Sequence, residues 1–384
     1  MIRAGTGVSG ASAASVAVTH AAQAALAALG AVRPDAALLV ATPQHAGSFD
    51  EALRAFRQLV GDVPLAGATV DGVLTSGVDL EAGPALGVLL LSGVEARSVL
   101  VHDIAKIAAA AGEEVVHALG RVPSAEDLLV LLPDPAGCDL RALLAGARGV
   151  MGDATLVGSG AADAGDGSAR ILASGEIATG ALAGLWIRGA GRPRAGVTSS
   201  CRPVAGPFVV TRAEGHWVLS LDGRPALDVY REAAREPLAR DLLHAFSFLL
   251  VAVPRAPGVA LTSDALVVRS VAGVSERRGA FALPEPVVRG QQIALVLRDA
   301  QGARDALRAM LERLAAPPPA CGLYFDCRER GAALFGMAGL EAAYLERALP
   351  GVPVLGLRGS CELGPIGGEP VLLTHAAVLA LIPA

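Results

Sequence analysis

The side chains best suited to chemistry gather in two short runs near the C-terminus. Phe325-Asp326-Cys327-Arg328-Glu329-Arg330 directly follows one apolar run, and Gly359-Ser360-Cys361-Glu362-Leu363-Gly364-Pro365 follows another. A guanidinium holds a carboxylate through paired hydrogen bonds, and a glutamate is suited to an ammonium group. If both runs are strand ends that converge on one pocket mouth, Cys327, Arg330, Gly359, Ser360, Cys361 and Glu362 form a ligand site. Arg330 then takes an anionic group, Glu362 takes a cationic group or orients Arg330, and the turn amides complete the donor set. The opposing reading is an ion pair between Arg330 and Glu362 that only fixes the two turns. Cys327 as a nucleophile needs an activating base. The nearest downstream histidine, His375, sits inside an apolar strand pattern.

Elsewhere the chain lacks a Walker-type phosphate loop and HExxH, GxSxG and kinase signatures. Gly158-Ser159-Gly160 is too short a piece of a dinucleotide fingerprint to support one. The seven histidines do not fall at metal-ligand spacings, so no metal site is expected. His45, in the loop after an apolar run, and His244, just before another, are the two with most scope for a role.

These residues need a scaffold, and the sequence alternates helix and strand signals. Residues 12–29 read as an amphipathic helix that stops at Gly30. Residues 36–41 read as a buried strand, and Ser48-Phe49-Asp50-Glu51 as a capping box opening a helix to about Val60. A further helix is expected over 301–314. Leu38 is followed by Gly67, Leu128 by Gly158 and Leu323 by Gly356 at similar intervals, each Gly then leading to turn-rich sequence and an apolar strand. This predicts three copies of strand, helix, strand, glycine-rich turn, strand. The glycines allow positive φ, either for hairpin turns or for lining pockets. The expected class is α/β (α+β), with mixed parallel and antiparallel sheets flanked by helices, because short turns permit hairpins. A change of character near 214–220 divides the chain into an N-terminal helical segment (1–31), a first domain (32–214) and a second (221–384).

Composition narrows the role. With 384 residues and 53% apolar side chains, there is material for two or three cores. A net charge of −5 argues against a general nucleic-acid binder. Five cysteines without paired spacing fit a reducing compartment. The N-terminus has no continuous apolar signal region, and apolar stretches such as 245–253 are too short to span a bilayer. The expectation is a cytoplasmic protein with no membrane or nucleic-acid partner.

Several segments resemble a known family. Leu221-Asp222-Gly223-Arg224-Pro225-Ala226-Leu227-Asp228-Val229-Tyr230 is similar to the segment opening the C-terminal half of FIST proteins. Phe325-x-Cys327-x-x-Arg330-Gly331 resembles the family's FxCxxR motif, and Gly356 through Pro365 its closing signature, with Glu362, Gly364 and Pro365 matching. Gly67-Ala68-Thr69-Val70-Asp71-Gly72 is similar to a turn of the N-terminal half. Two departures stand out: Leu357-Arg358 where the signature has Phe-Tyr, and Cys361 where it has Gly. The resemblance implies a non-catalytic intracellular sensor of a small ligand, with amino acids as the proposed class. It also implies output through a separate signalling protein of kinase, cyclase or chemotaxis type. Two alternatives are a haem-binding nitric oxide sensor and an enzyme using Cys327 or Glu362.

Overall fold

The computed structural model describes residues 1–189, 191–235, 238–254 and 266–384. One architectural unit recurs three times along the chain. The first copy runs β1 (Arg3–Ser9), α1 (Ala14–Leu29), β2 (Ala36–Ala41), α2 (Phe49–Val60), β3 (Leu65–Thr69), a hairpin of β4 (Gly72–Thr75) and β5 (Val78–Leu80), then β6 (Leu86–Ser92). The second runs β7 (Glu95–Val101), α3 (Ile104–His117), β8 (Asp127–Pro133), α4 (Leu140–Val150), β9 (Thr155–Gly160), a hairpin of β10 (Ile171–Ala173) and β11 (Glu176–Ala178), then β12 (Leu182–Arg188). The third begins with β13 (Arg194–Ser199).

The chain then passes through β14 (Cys201–Glu214), β15 (Trp217–Leu221), β16 (Arg224–Pro225), α5 (Ala226–Ala234), α6 (Leu242–Ala245), β17 (Leu249–Val253), β18 (Val267–Arg269), β19 (Gly273–Ser275), β20 (Ala280–Ala282) and β21 (Gln292–Arg298). The third copy resumes with α7 (Ala300–Leu314), β22 (Pro319–Cys327), α8 (Ala332–Phe335), α9 (Leu340–Ala348), β23 (Val354–Gly359), a hairpin of β24 (Cys361–Ile366) and β25 (Glu369–Leu373), and β26 (Ala376–Pro383). By contacts, one compact unit comprises Met1–Thr198, Leu307–Leu372 and Ala376–Ala384, and the other Ser199–Ala306 with Leu373–His375. The second unit is therefore inserted between the first strand and first helix of the third copy. This division does not follow chain order, unlike the expected one at 214–220. The N-terminal segment holds a strand, β1, as well as the expected helix.

In the first unit, three six-stranded sheets share one order. They are β1-β6-β2-β3-β10-β11, β7-β12-β8-β9-β24-β25 and β13-β26-β22-β23-β4-β5. The central pairs β2–β3, β8–β9 and β22–β23 are parallel. Each copy keeps four of its strands and lends its hairpin to another copy's sheet. The second copy's hairpin joins the first sheet, the third's joins the second, and the first's joins the third. The exchange closes on itself, so no copy has a complete sheet alone. The central strands are buried along their whole length, which is why β2 reads AALLVA and β8 DLLVLLP without alternation. Helices cover the sheets through regular apolar stripes, such as Phe49, Ala52, Leu53 and Phe56 on α2. The second unit is built on an eight-stranded sheet, largely of antiparallel pairs.

Two local expectations need correction. Ser48 is the N-cap of α2, but its side chain makes no capping hydrogen bond. Gly67, Gly158 and Gly356 are not turn residues; they lie inside β3, β9 and β23 with ordinary φ. A Cβ on Gly67 would lie 1.9 Å from the Leu39 carbonyl oxygen, one on Gly158 2.0 Å from that of Leu131, and one on Gly356 2.5 Å from Leu74. Close strand packing, rather than turn geometry or a pocket wall, demands glycine there.

Candidate functional site

β22 and β23 run side by side in parallel, with Asp326 opposite Arg358 and Cys327 opposite Gly359. The amide of Arg328 donates to the Gly359 carbonyl at 3.0 Å. The two polar runs singled out in the sequence therefore do meet at one sheet end. What they bring together is a buried ionic cluster. Arg330, fully enclosed, places its Nε 2.8 Å from Asp326 and its Nη2 2.7 Å from Glu341 of α9. The Tyr324 hydroxyl donates to the same Glu341 Oε1 at 2.7 Å. Arg358 forks onto Asp79 at 2.5 and 2.9 Å, and its Nε lies 3.2 Å from Asp326. Its Nη2 also lies 3.5 Å from both Glu81 and Glu341. Asp79 and Glu81 arrive on the hairpin lent by the first copy, so strand exchange itself completes the cluster.

The acids divide their roles. Burial, reinforced by the neighbouring Glu341, pushes Asp326 well above the usual carboxylate range. Burial also acts to raise Glu341, but the Arg330 charge, the Asp326 hydrogen bond and Arg358 outweigh it and bring Glu341 down to about 2. Burial and the neighbouring Glu341 thus disfavour charge on Asp326, whereas Arg330 and Arg358 favour it on Glu341.

Above the cluster opens a cavity of about 350 Å³, lined by Asp71, Glu81, Arg328, Glu329, Arg330, Ala333 and Arg358. Asp71 is raised by burial, with Arg328 opposing, and its Oδ2 is buried without a hydrogen-bond partner. Arg328 approaches its other oxygen only to 3.9 Å and is about half exposed, at 54%. The cavity wall therefore offers a guanidinium and a carboxylate that are only loosely engaged with each other.

The residues proposed from sequence are distributed unevenly around this feature. Arg330 lines the cavity floor, but its partners are Asp326 and Glu341, not Glu362. Glu362 is fully buried, accepts from the Ala376 amide at 3.3 Å and lies against the Cys327 thiol; burial drives its carboxyl well above the usual range. Cys327 is 3% exposed. Gly359 packs against the second copy, where a Cβ would fall 1.9 Å from Ser159 Oγ. Ser360 donates to the Ala161 carbonyl at 3.2 Å, and Cys361 joins the apolar core beneath α3 and α4. Sequence reasoning missed Asp326, Glu341, Asp79, Glu81, Tyr324 and Asp71 as partners. Arg358 carried a visible signal, a charge where the resembling signature has an aromatic. His45 is buried with neither ring nitrogen hydrogen-bonded, whereas His244 is exposed and packs edge-on to Phe248 at 5.1 Å. Neither lines this cavity.

A three-copy α/β body with exchanged hairpins and a charged cavity on the third sheet defines the class of protein. The FIST N domain model matches residues 35–224 and the FIST C domain model residues 226–365. The chain belongs to the FIST family. It is 30% identical over 356 residues to an uncharacterized protein of Mycobacterium tuberculosis, covering 91% of each chain. It is likewise 30% identical over 359 residues to an uncharacterized protein of Mycobacterium bovis, covering 91% of this chain and 90% of the other. FIST domains are generally sensory domains. No helix among the described residues is long and apolar enough to cross a membrane.

Proposed function

We propose that the chain is a non-catalytic receptor for a small zwitterion of the amino-acid class, bound in the cavity above the ionic cluster. The observation carrying this reading is Asp71, whose partly buried carboxylate has one oxygen without a partner and faces Arg328 only at long range. An α-ammonium group satisfies the free oxygen of Asp71. A carboxylate takes the fork of Arg328 in place of the 3.9 Å contact. The floor supports such a site because Arg330 and Arg358 are fixed by ion pairs and cannot swing to neutralise the ligand themselves. Output passes to a separate signalling protein.

The catalytic alternative is less well supported. Neither Cys327 nor Glu362 lines the cavity, and His375 is engaged with Ser270 Oγ at 3.2 Å. A haem needs an axial donor facing an open space. No histidine or cysteine lines the cavity at Asp71 or the grooves at Arg194, Arg308 and Arg57, so the residues there do not fit that group.

Calorimetric titration of the full chain with the common amino acids tests the reading. The expected result is saturable binding by a subset, weakened about tenfold or more, equivalent to ~1.4 kcal/mol, in both Asp71→Asn and Arg328→Gln. Absence of binding by every amino acid, or equal binding by both variants, overturns it.

A further inference from the structure

A second cavity, of about 480 Å³, lies in the same compact unit, between the start of β9, the start of β13 and the tip of the β24–β25 hairpin. Two arginines line it, Arg192 and Arg194. Arg121, Arg330 and Arg358 each face a carboxylate, but Arg192 and Arg194 have none among the described residues. Arg194 Nη2 donates to the Pro317 carbonyl, while its Nε and Nη1 are buried without an acceptor. Arg192 is exposed at the rim. The one acid lining the space, Asp153, is exposed and forms no ion pair with either arginine. A buried cationic donor without an acceptor is costly and calls for a partner.

The repeat supplies an internal control. The corresponding groove of the first copy, about 340 Å³, is bounded by the end of α2, by β7 and by the tip of the β10–β11 hairpin. It also holds two arginines, but there they are engaged. Arg57 faces Asp62 at 3.5 Å, and Arg97 Nη1 donates to the Ala118 carbonyl at 2.9 Å. The same fold position is thus internally satisfied in one copy and left with unmatched guanidinium donors in another. Gly367 and Gly368 at the hairpin tip bring no side chain into the space, and both take positive φ.

We propose that the groove at Arg192 and Arg194 is a second ligand site, for a small metabolite bearing a phosphate or carboxylate oxyanion. Oxygens of such a group accept from the unmatched N–H donors of Arg194, Nε on one edge of the guanidinium plane or Nη1 on the other. Arg192 adds a second positive charge at the entrance. This proposal is independent of the cavity above the ionic cluster, which uses other residues.

The test is isothermal titration of the full chain with inorganic phosphate and, separately, with succinate, against sodium chloride at matched ionic strength. Saturable binding of at least one probe beyond the chloride control is expected, and which probe binds identifies the oxyanion class. Arg194→Gln should weaken it about tenfold or more and Arg192→Gln about threefold or more. Because Arg194 also holds the Pro317 carbonyl, the exposed Arg192→Gln variant keeps the test valid if Arg194→Gln folds poorly. No saturation by either probe, or unchanged affinity in Arg192→Gln, overturns the proposal.

Discussion

Replacing Arg330 by alanine separates a structural guanidinium from a ligand anchor. In the native protein Arg330 lies 2.8 Å from Asp326 and 2.7 Å from Glu341, with no exposed surface. Unit charges at that distance attract by about 6 kcal/mol at an effective dielectric constant near 20, and several kcal/mol of desolvation per ion offset much of this. The net worth of the pair is small, but removing one member is not. Without Arg330, Asp326 and Glu341 share only Arg358, which is already committed to Asp79. The expected loss is about 3–5 kcal/mol. At roughly 2–4 °C per kcal/mol for a body of this size, the melting temperature should fall by roughly 6–20 °C.

The pH dependence gives an independent check. Glu341 is held down to about 2 chiefly by Arg330 against the effect of burial. A carboxylate with a depressed folded pKa contributes stability that is present above its unfolded value, near 4.3, and lost as pH falls through the folded value. Once Arg330 is gone, Glu341 can take a proton, and the deficit of the variant should shrink as pH is lowered from 7 toward 4. Urea denaturation at several pH values reads both effects, with the slope on denaturant unchanged. A variant within about 1 kcal/mol of wild type at pH 7, or a deficit that grows on acidification, refutes the argument.

Four further outcomes follow from the same structure. Glu362→Gln mimics the protonated acid, so wild type alone should lose about 1.4 kcal/mol per pH unit as pH rises from the unfolded value near 4.3 to the raised folded pKa, and the variant should be at least as stable as wild type at pH 7, read by chemical denaturation on a series from about pH 4 upward. Gly67→Ala and Gly158→Ala drive a Cβ against a strand carbonyl and should cost about 3 kcal/mol or more, whereas Gly149→Ala, in α4 with nothing within 4 Å, should add about 0.5–1 kcal/mol by thermal melting. His375 is lowered to about 4 by burial and by Arg298, so it should cost stability as pH falls from about 6.5 toward 4, by up to about 3 kcal/mol, an acid limb that His375→Gln removes. Arg328→Ala, an exposed residue in a loose pair, should change the melting temperature by no more than about 2 °C.

The repeat was legible in the sequence because its apolar runs and glycines recur at near-constant spacing, and continuous apolar runs mark strands buried on both faces. The hairpin exchange was not legible. Leu74, Leu172 and Leu363 sit in ordinary strand patterns, and only tertiary pairing shows that each belongs to another copy's sheet. The insertion was hidden for a similar reason, since β13 and α7 are separated by about a hundred residues yet act as one copy's opening strand and helix. At the site, the meeting of residues 327–330 with 359–362 could be read from two strand ends, but Arg330's partners could not. Glu341 lies on a helix with a charged pattern typical of a solvent face, and Asp79 on a short hairpin strand, so neither position advertises a buried ion pair.

The three copies also show why the ionic cluster calls for a functional explanation. Register places Ala41 opposite Thr69 in the first copy and Asp326 opposite Arg358 in the third. Continuing the second copy's register from Leu131 and Gly158 sets Pro133 beside Gly160. The same backbone contacts recur around the centre. The amide of Asp71 donates to the Arg358 carbonyl, that of Ala162 to Thr69 and that of Ser360 to Gly160. Two copies thus fill these paired positions with small or apolar residues, and the second adds only a lone acid, Asp134, held by backbone amides, so the architecture needs no buried ion pair there. The third carries Tyr324, Asp326 and Arg358 at the matching positions and recruits Arg330, Glu341 and Asp79 to satisfy them. Buried ions that a fold can do without bring little stability, because desolvation consumes most of the attraction. What this cluster adds is a rigid floor of fixed charge beneath the Asp71–Arg328 cavity, where neither of the other copies places one.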